Sequence, residues 1–185
     1  MGAGLRNAAA AVGVLGALAA LVIVPAVVGL SLPDEGPLPA GRRLDVGYGV
    51  TLRPPPGARL GLAESRPGAG GVELRAGRFT ARFTAVEARD VDRAGFVAHA
   101  RRKLARDEGF RPGSPEPVST EAGVPGERGT LEPDRDDDRS GCYAIFVERD
   151  AGVVAIITPV ADCDAVPPEV WSAVRSLTFE PIGNW

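Results

Sequence analysis

The chain has 185 residues, 44% of them hydrophobic and 24% charged, and a net charge of −3. Without the apolar stretch near its start, about 140 residues remain, the usual size of one domain with a single core. The charge is too small to favour a polyanionic partner, which argues against nucleic-acid binding.

The apolar stretch covers residues 8–30 and contains no charged side chain. About 20 such residues suffice to cross a bilayer as a helix. Arg6 precedes the stretch and Asp34 follows it, which favours a cytoplasmic N terminus at residues 1–7. The pattern therefore predicts a single-pass cell-membrane protein, with a signal anchor and an extracytoplasmic C-terminal domain. A cleaved signal peptide is the alternative, and it would make the domain secreted.

Residues 31–43 contain three prolines, two glycines and no apolar periodicity. This composition predicts a flexible linker. We expect the folded domain to span residues 44–181 and to be followed by a short tail at residues 182–185.

The first half of the domain shows the period-two alternation of strands. Tyr48, Val50 and Leu52 alternate with polar or small residues, and a proline-rich turn follows them. Val72 and Leu74 predict a second strand, which turns back at residues 76–77 into a third strand at residues 79–85.

A helix is predicted from a cap at Asp90 or Asp92 to about Glu108, with Gly109 just beyond its end. One side of this helix is apolar, and the other carries a basic stripe of His99, Arg102, Lys103 and Arg106. A solvated helix face offers a histidine neither an orienting acid nor a nucleophile, so His99 is not expected to act in catalysis. The stripe is either a solvated face or a contact for anionic lipid or a cell-wall polymer.

The second half predicts three more strands and a helix. Residues 126–132 form the first strand, and the aspartates at 134–138 are read as a charged hairpin loop, because a calcium loop would need a glycine where Arg139 stands. Residues 143–147 and 153–158 are apolar on both faces, which is typical of strands at a sheet centre. A final helix begins at Pro167 or Pro168.

Cys142 and Cys163 flank these two central strands. The hairpin would bring both to the same end of the sheet, so we expect a disulfide. On the chain-entropy account it would stabilise the domain by about 3 kcal/mol. Two free, buried thiols are the alternative. Their spacing, without further Cys or His ligands, does not indicate a zinc or redox centre, and no metal or cofactor is expected.

Three segments resemble the exported PsbP-like domains of small actinobacterial envelope proteins, including the LpqN-type lipoproteins. They are residues 48–57, residues 72–108 and the closing pattern Val170-x3-Val174-x-Ser176-Leu177-x-Phe179. The resemblance implies an α+β fold in which an antiparallel sheet is sandwiched by helices (α/β/α). It also implies a non-enzymatic binding or accessory role. The chain departs from the lipoproteins in having an intact apolar anchor in place of a lipid-modified cysteine.

The leading functional expectation is a single-pass envelope protein that displays a non-catalytic binding or accessory domain. Its partner would be another envelope protein, anionic lipid or a cell-wall polymer. A structural subunit of a membrane complex, held through residues 8–30, is the alternative. An exported hydrolase comes third, since no nucleophile, base or cofactor motif is present, and the aspartates at 134–138 form the densest carboxylate group.

Overall fold

The computed structural model describes residues 35–38, 41–134 and 139–181. These residues belong to one compact unit that begins at Glu35. Its strands are β1 Glu35–Pro37, β2 Leu44–Gly47, β3 Val50–Leu52, β4 Arg59–Gly61, β5 Gly71–Ala76, β6 Phe79–Glu87, β7 Phe110–Pro112, β8 Glu116–Ser119, β9 Pro125–Pro133, β10 Gly141–Glu148, β11 Ala151–Thr158 and β12 Thr178–Phe179. Its helices are α1 Arg93–Arg106 and α2 Pro168–Arg175, and a 3-10 turn spans Cys163–Ala165.

Nine of the described strands form one antiparallel sheet in the order β1-β4-β5-β6-β11-β10-β9-β7, and β8 also pairs with β9. The predicted central strands are confirmed, because β10 and β11 lie in the middle of this order and pair from Cys142↔Ile157 to Glu148↔Ala151. Both faces of β10 are buried, which is the environment that a continuous apolar run requires.

The main core lies on one face of this sheet. The inward side chains of β6 are Phe79, Ala81, Phe83 and Ala85, and all are buried. The three-stranded sheet β12-β3-β2 covers them, together with Val170 and Val174 of α2. The opposite face carries a second, smaller core in which Phe96, Ala100 and Leu104 of α1 pack on β10.

The predicted α/β/α sandwich is wrong. Strands dominate the described residues, and only α1 and the short α2 are α-helical there. One face of the large sheet is covered mainly by a second sheet rather than by a helical layer. The physical reason is that residues 44–52 form a hairpin whose apolar side chains Val46, Val50 and Leu52 supply that cover and are fully buried.

The predicted single-pass localisation is likewise corrected. Among the described residues, neither helix is long and apolar enough to cross a membrane. The expected anchor, residues 8–30, lies outside the described residues, as do residues 1–7 and the tail at 182–185.

Two local predictions differ from the structure near the start of the unit. Glu35–Pro37, within the expected linker, forms β1 and pairs with β4. Tyr48, expected within a strand, instead lies in the turn between β2 and β3. Its φ of 55° and the φ of 73° at Gly49 are the left-handed values that a tight hairpin turn requires.

The predicted disulfide is confirmed. Cys142 at the start of β10 is bonded to Cys163 in the 3-10 turn, with 5.5 Å between their Cα atoms. Both residues are buried. The Cys163 carbonyl accepts a 2.9 Å hydrogen bond from the Trp171 indole. The cross-link therefore fixes the segment that leads into α2 against the central strand.

Candidate functional site: a groove beside helix α1

Helix α1 forms one wall of the candidate site. It begins as predicted, because the Asp92 carboxylate accepts a 2.6 Å hydrogen bond from the Gly95 N–H and so caps one of the free N–H groups of the first turn. It ends at Arg106, and Gly109 follows with a φ of 70°. A left-handed glycine at this point turns the chain from the helix into β7.

The position of α1 on the sheet is set by close contact with Gly152 of β11. A Cβ atom at Gly152 would clash with Cζ of Phe96, so the Phe96 ring occupies the space above this glycine. Farther along, Ala100 and Leu104 pack into the core over β10. The helix thus lies over the middle of the sheet and leaves the outward face of β6 uncovered.

A groove runs along this uncovered side of α1. Its floor is formed by half-buried residues of two neighbouring strands, Thr84 and Val86 of β6 and Val154 and Ile156 of β11. Val154 pairs directly with Thr84, so these side chains lie on the same face of the sheet. Between floor and helix is a cavity of about 110 Å³, whose surface is mostly apolar.

The groove continues past the end of α1 into a larger pocket of about 440 Å³. Glu108 and Ile156 line both spaces. The larger pocket is polar, with hydroxyl groups from Thr80 and Thr158 on its floor and charged side chains around it. We call the two spaces together the α1 groove. It therefore joins an apolar inner part to a polar outer part.

Most acids of the α1 groove have a cationic partner. Glu108 lies 3.2 Å from Arg82 and Asp134 lies 3.2 Å from Arg111. The side chains of Lys103 at the inner part and Arg106 at the outer part have no hydrogen-bond or ion-pair partner in the described part of the chain, and neither does the carboxylate of Asp107. Both cations lie in the last turn of α1, where a positive charge also offsets the helix dipole.

The structure divides the predicted basic stripe. All four of its residues are exposed, as expected. His99 and Lys103 line the inner cavity and Arg106 lines the outer pocket, whereas Arg102 lines neither. Three residues of the stripe therefore line the groove, and the fourth, Arg102, does not.

The described residues do not assemble a nucleophile with its base. His99 forms no hydrogen bond with a serine or an acid there, and no three metal-ligating side chains of His, Cys, Asp or Glu come together in that part of the chain. The buried Tyr143 lies on the other side of α1, where its hydroxyl donates to Glu127 at 3.4 Å. Burial, and after it the charge of Glu127, raise the pKa of Tyr143 to about 12 against the lowering effect of Arg101. Tyr143 therefore keeps its proton at neutral pH and is part of the smaller core.

Sequence reasoning missed the floor of the groove. Val86 stands at a position of β6 whose neighbours on the same face are Thr84 and Arg82, so the alternation marked this face as solvent-exposed. The available signal was Val154 and Ile156, apolar residues on the face of β11 that adjoins it. Only the strand pairing shows that these residues meet beside the helix.

Comparisons of this chain with known protein families, with curated proteins and with solved structures find no match. The resemblance to PsbP-like envelope domains therefore stays a prediction, and the groove has to be interpreted from its own residues.

Proposed function

We propose that the unit beginning at Glu35 is a non-catalytic binding domain and that the α1 groove is its ligand site. The observation that supports this proposal is the combination of an apolar cavity of about 110 Å³ with an adjoining polar pocket of about 440 Å³. Small-molecule sites generally unite an apolar surface with a few polar groups that orient the ligand.

Surrounding elements support the same interpretation. The large sheet and the Phe96–Gly152 contact hold the floor of the groove and its helix wall in place. A preformed site of this kind binds without the cost of ordering a loop. The charged groups at its mouth are suited to holding a ligand.

The test uses the full chain and three small probes that share one alkyl group: hexanoate, hexan-1-ol and hexylamine. We expect at least one probe to shift the amide NMR signals of Thr84, Val154 and Ile156. Val154→Phe should abolish this effect, because the larger ring fills the inner cavity. Thr84→Leu, which fills the same space from β6, repeats the test if the first variant does not fold.

Val118→Phe is the matched control. Val118 is also half-buried in a strand, but it lies in β8 and packs against the main core. This variant should keep the shifts. Absence of any probe-induced shift at the groove, or shifts that persist in a folded cavity-filling variant, would overturn the proposal.

A further inference from the structure

We infer that the ligand of the α1 groove is an organic anion with a short apolar group, held by Lys103 and Arg106. The inference rests on the proposed function and adds the chemical class of the ligand. It follows from the size of the inner cavity, the charges that line the groove and the division of the basic stripe.

The size of the inner cavity limits the apolar part of the ligand. An apolar cavity of about 150 Å³ in another protein admits benzene, and the present cavity is about 110 Å³. A short alkyl chain or a small ring therefore fits here, whereas a long acyl chain does not. Phe96 lines this cavity and packs above Gly152, which limits how far an apolar group can extend along the helix.

The charged residues that line the groove determine which charge the polar group of the ligand should carry. Glu108 is already paired with Arg82, and Asp134 with Arg111. Lys103 lines the inner cavity beside Val154 and Ile156, and Arg106 lines the outer pocket. A ligand with its apolar group in the cavity would thus have its polar end near Lys103 and toward the pocket that Arg106 lines, and neither side chain has a partner among the described residues.

Asp107 is the opposing charge, since it lines the outer pocket and is also unpaired in that part of the chain. It is the C-terminal cap residue of α1, and its backbone N–H bonds to the Lys103 carbonyl. Lys103 lines the cavity beside the apolar floor, whereas Asp107 lines the outer pocket. A carboxylate or phosphate group on a ligand in the cavity would therefore lie nearer to Lys103 than to Asp107. This arrangement favours an anionic ligand over a cationic one.

The same three probes test the inference. We expect hexanoate to bind about tenfold more tightly than hexan-1-ol, and hexylamine to bind more weakly than the alcohol. In the double variant Lys103→Gln/Arg106→Gln the advantage of hexanoate should disappear while the affinity for hexan-1-ol stays the same. Arg102→Gln is the matched control: it removes an exposed cation from the same helix that lines neither space of the groove, and should leave the preference intact.

Failure of the inference can be told apart from failure of the proposed function. If the alcohol binds in the groove and hexanoate binds no more tightly, the groove is a ligand site but not one for anions. If none of the probes reaches the groove, both proposals fail. A preference for hexanoate that survives in the Lys103/Arg106 double variant also overturns the assignment of these two residues.

Vesicles containing phosphatidylglycerol distinguish a free organic anion from the same charge on a membrane surface. We expect no vesicle binding, because the cations that hold the ligand stand beside a recessed cavity. Vesicle binding that Arg102→Gln weakens and Val154→Phe does not change would place anion recognition on the exposed face of α1, and would overturn the inference.

Discussion

Tyr143 shows how burial changes the chemistry of a single residue. Its ring is fully buried and its hydroxyl donates to Glu127, which is partly buried. Transfer of a phenolate from water into this environment is unfavourable. Burial therefore comes first among the causes that raise its pKa to about 12, and the nearby Glu127 carboxylate acts in the same direction.

This raised pKa predicts a pH dependence of stability. The unfolded chain releases the tyrosine proton near pH 10, whereas the folded state keeps it to about pH 12. The resulting contribution to stability is fully present below pH ~10 and is lost as the pH rises from about 10 to about 12. Urea unfolding of the wild type across this range should show a steeper loss than in Tyr143→Phe. Equal pH slopes in the two proteins would contradict the assignment.

Gly152 influences the groove because it has no side chain. Its missing Cβ permits the Phe96 ring to lie against β11, and this contact positions the first half of α1. The sequence marks Gly152 as part of a turn, since it follows Arg149 and Asp150. Its role in helix packing depends on a residue more than 50 positions earlier, which local patterns do not reveal.

At the scale of elements, β1, β4, β5 and β6 are joined by ion pairs on the face that α1 leaves open. Glu35 of β1 pairs with Arg59 and Arg75, and Glu73 of β5 pairs with Arg75 at 3.2 Å and Arg82 at 3.8 Å. The hydrogen bonds of Glu35 and Glu73 raise the pKa of Arg75 against the lowering effect of burial. These contacts hold the short edge strand β1 to the sheet.

Glu73 is the central acid of this series, and its side chain is only 5% exposed. Glu73→Gln should destabilise the domain by about 1–2 kcal/mol. The substitution removes the negative charge that pairs with two arginines, and this charge is largely shielded from water. Urea unfolding measures the change in free energy.

Glu87→Gln is the control for this prediction. Glu87 pairs with Arg89 at 2.9 Å, but both side chains are about half exposed, so the change should cost less than ~0.5 kcal/mol. Equal effects of the two substitutions would show that the buried position of Glu73 has no energetic consequence.

At the scale of the whole molecule, the disulfide ties the central strand to the segment before α2. The two cysteines are separated by 21 positions, and closing a loop of this size removes conformational freedom from the unfolded chain. Cross-links of this kind are typical of domains that fold in an oxidising compartment.

The double variant Cys142→Ala/Cys163→Ala should lose about 3 kcal/mol of unfolding free energy relative to the oxidised wild type. Urea unfolding with and without a reducing agent measures this loss. Reduction should destabilise the wild type and leave the double variant unchanged. If reduction has no effect on the wild type, the cross-link does not contribute to stability.

The sequence by itself determined most of the local structure of the described residues. The sequence predicted a helix cap at Asp90 or Asp92, the hairpins between β5 and β6 and between β10 and β11, the central position of β10 and β11 and the cysteine pair. Each depends on residues that are close together in the chain or joined by one tight turn, where propensity and periodicity act directly.

Which element covers the main core, and which residues form the α1 groove, was decided only by the tertiary structure. Whether a helix or a small sheet covers the main core depends on how residues 44–52 pack against β6 and α2, which are distant in sequence. The α1 groove depends on the same kind of information, because Val86, Val154 and Lys103 each have an ordinary local role and meet through strand pairing and the Phe96–Gly152 contact. Side-chain periodicity reports which face of one element is apolar, but the partner of that face is fixed by packing across the whole domain.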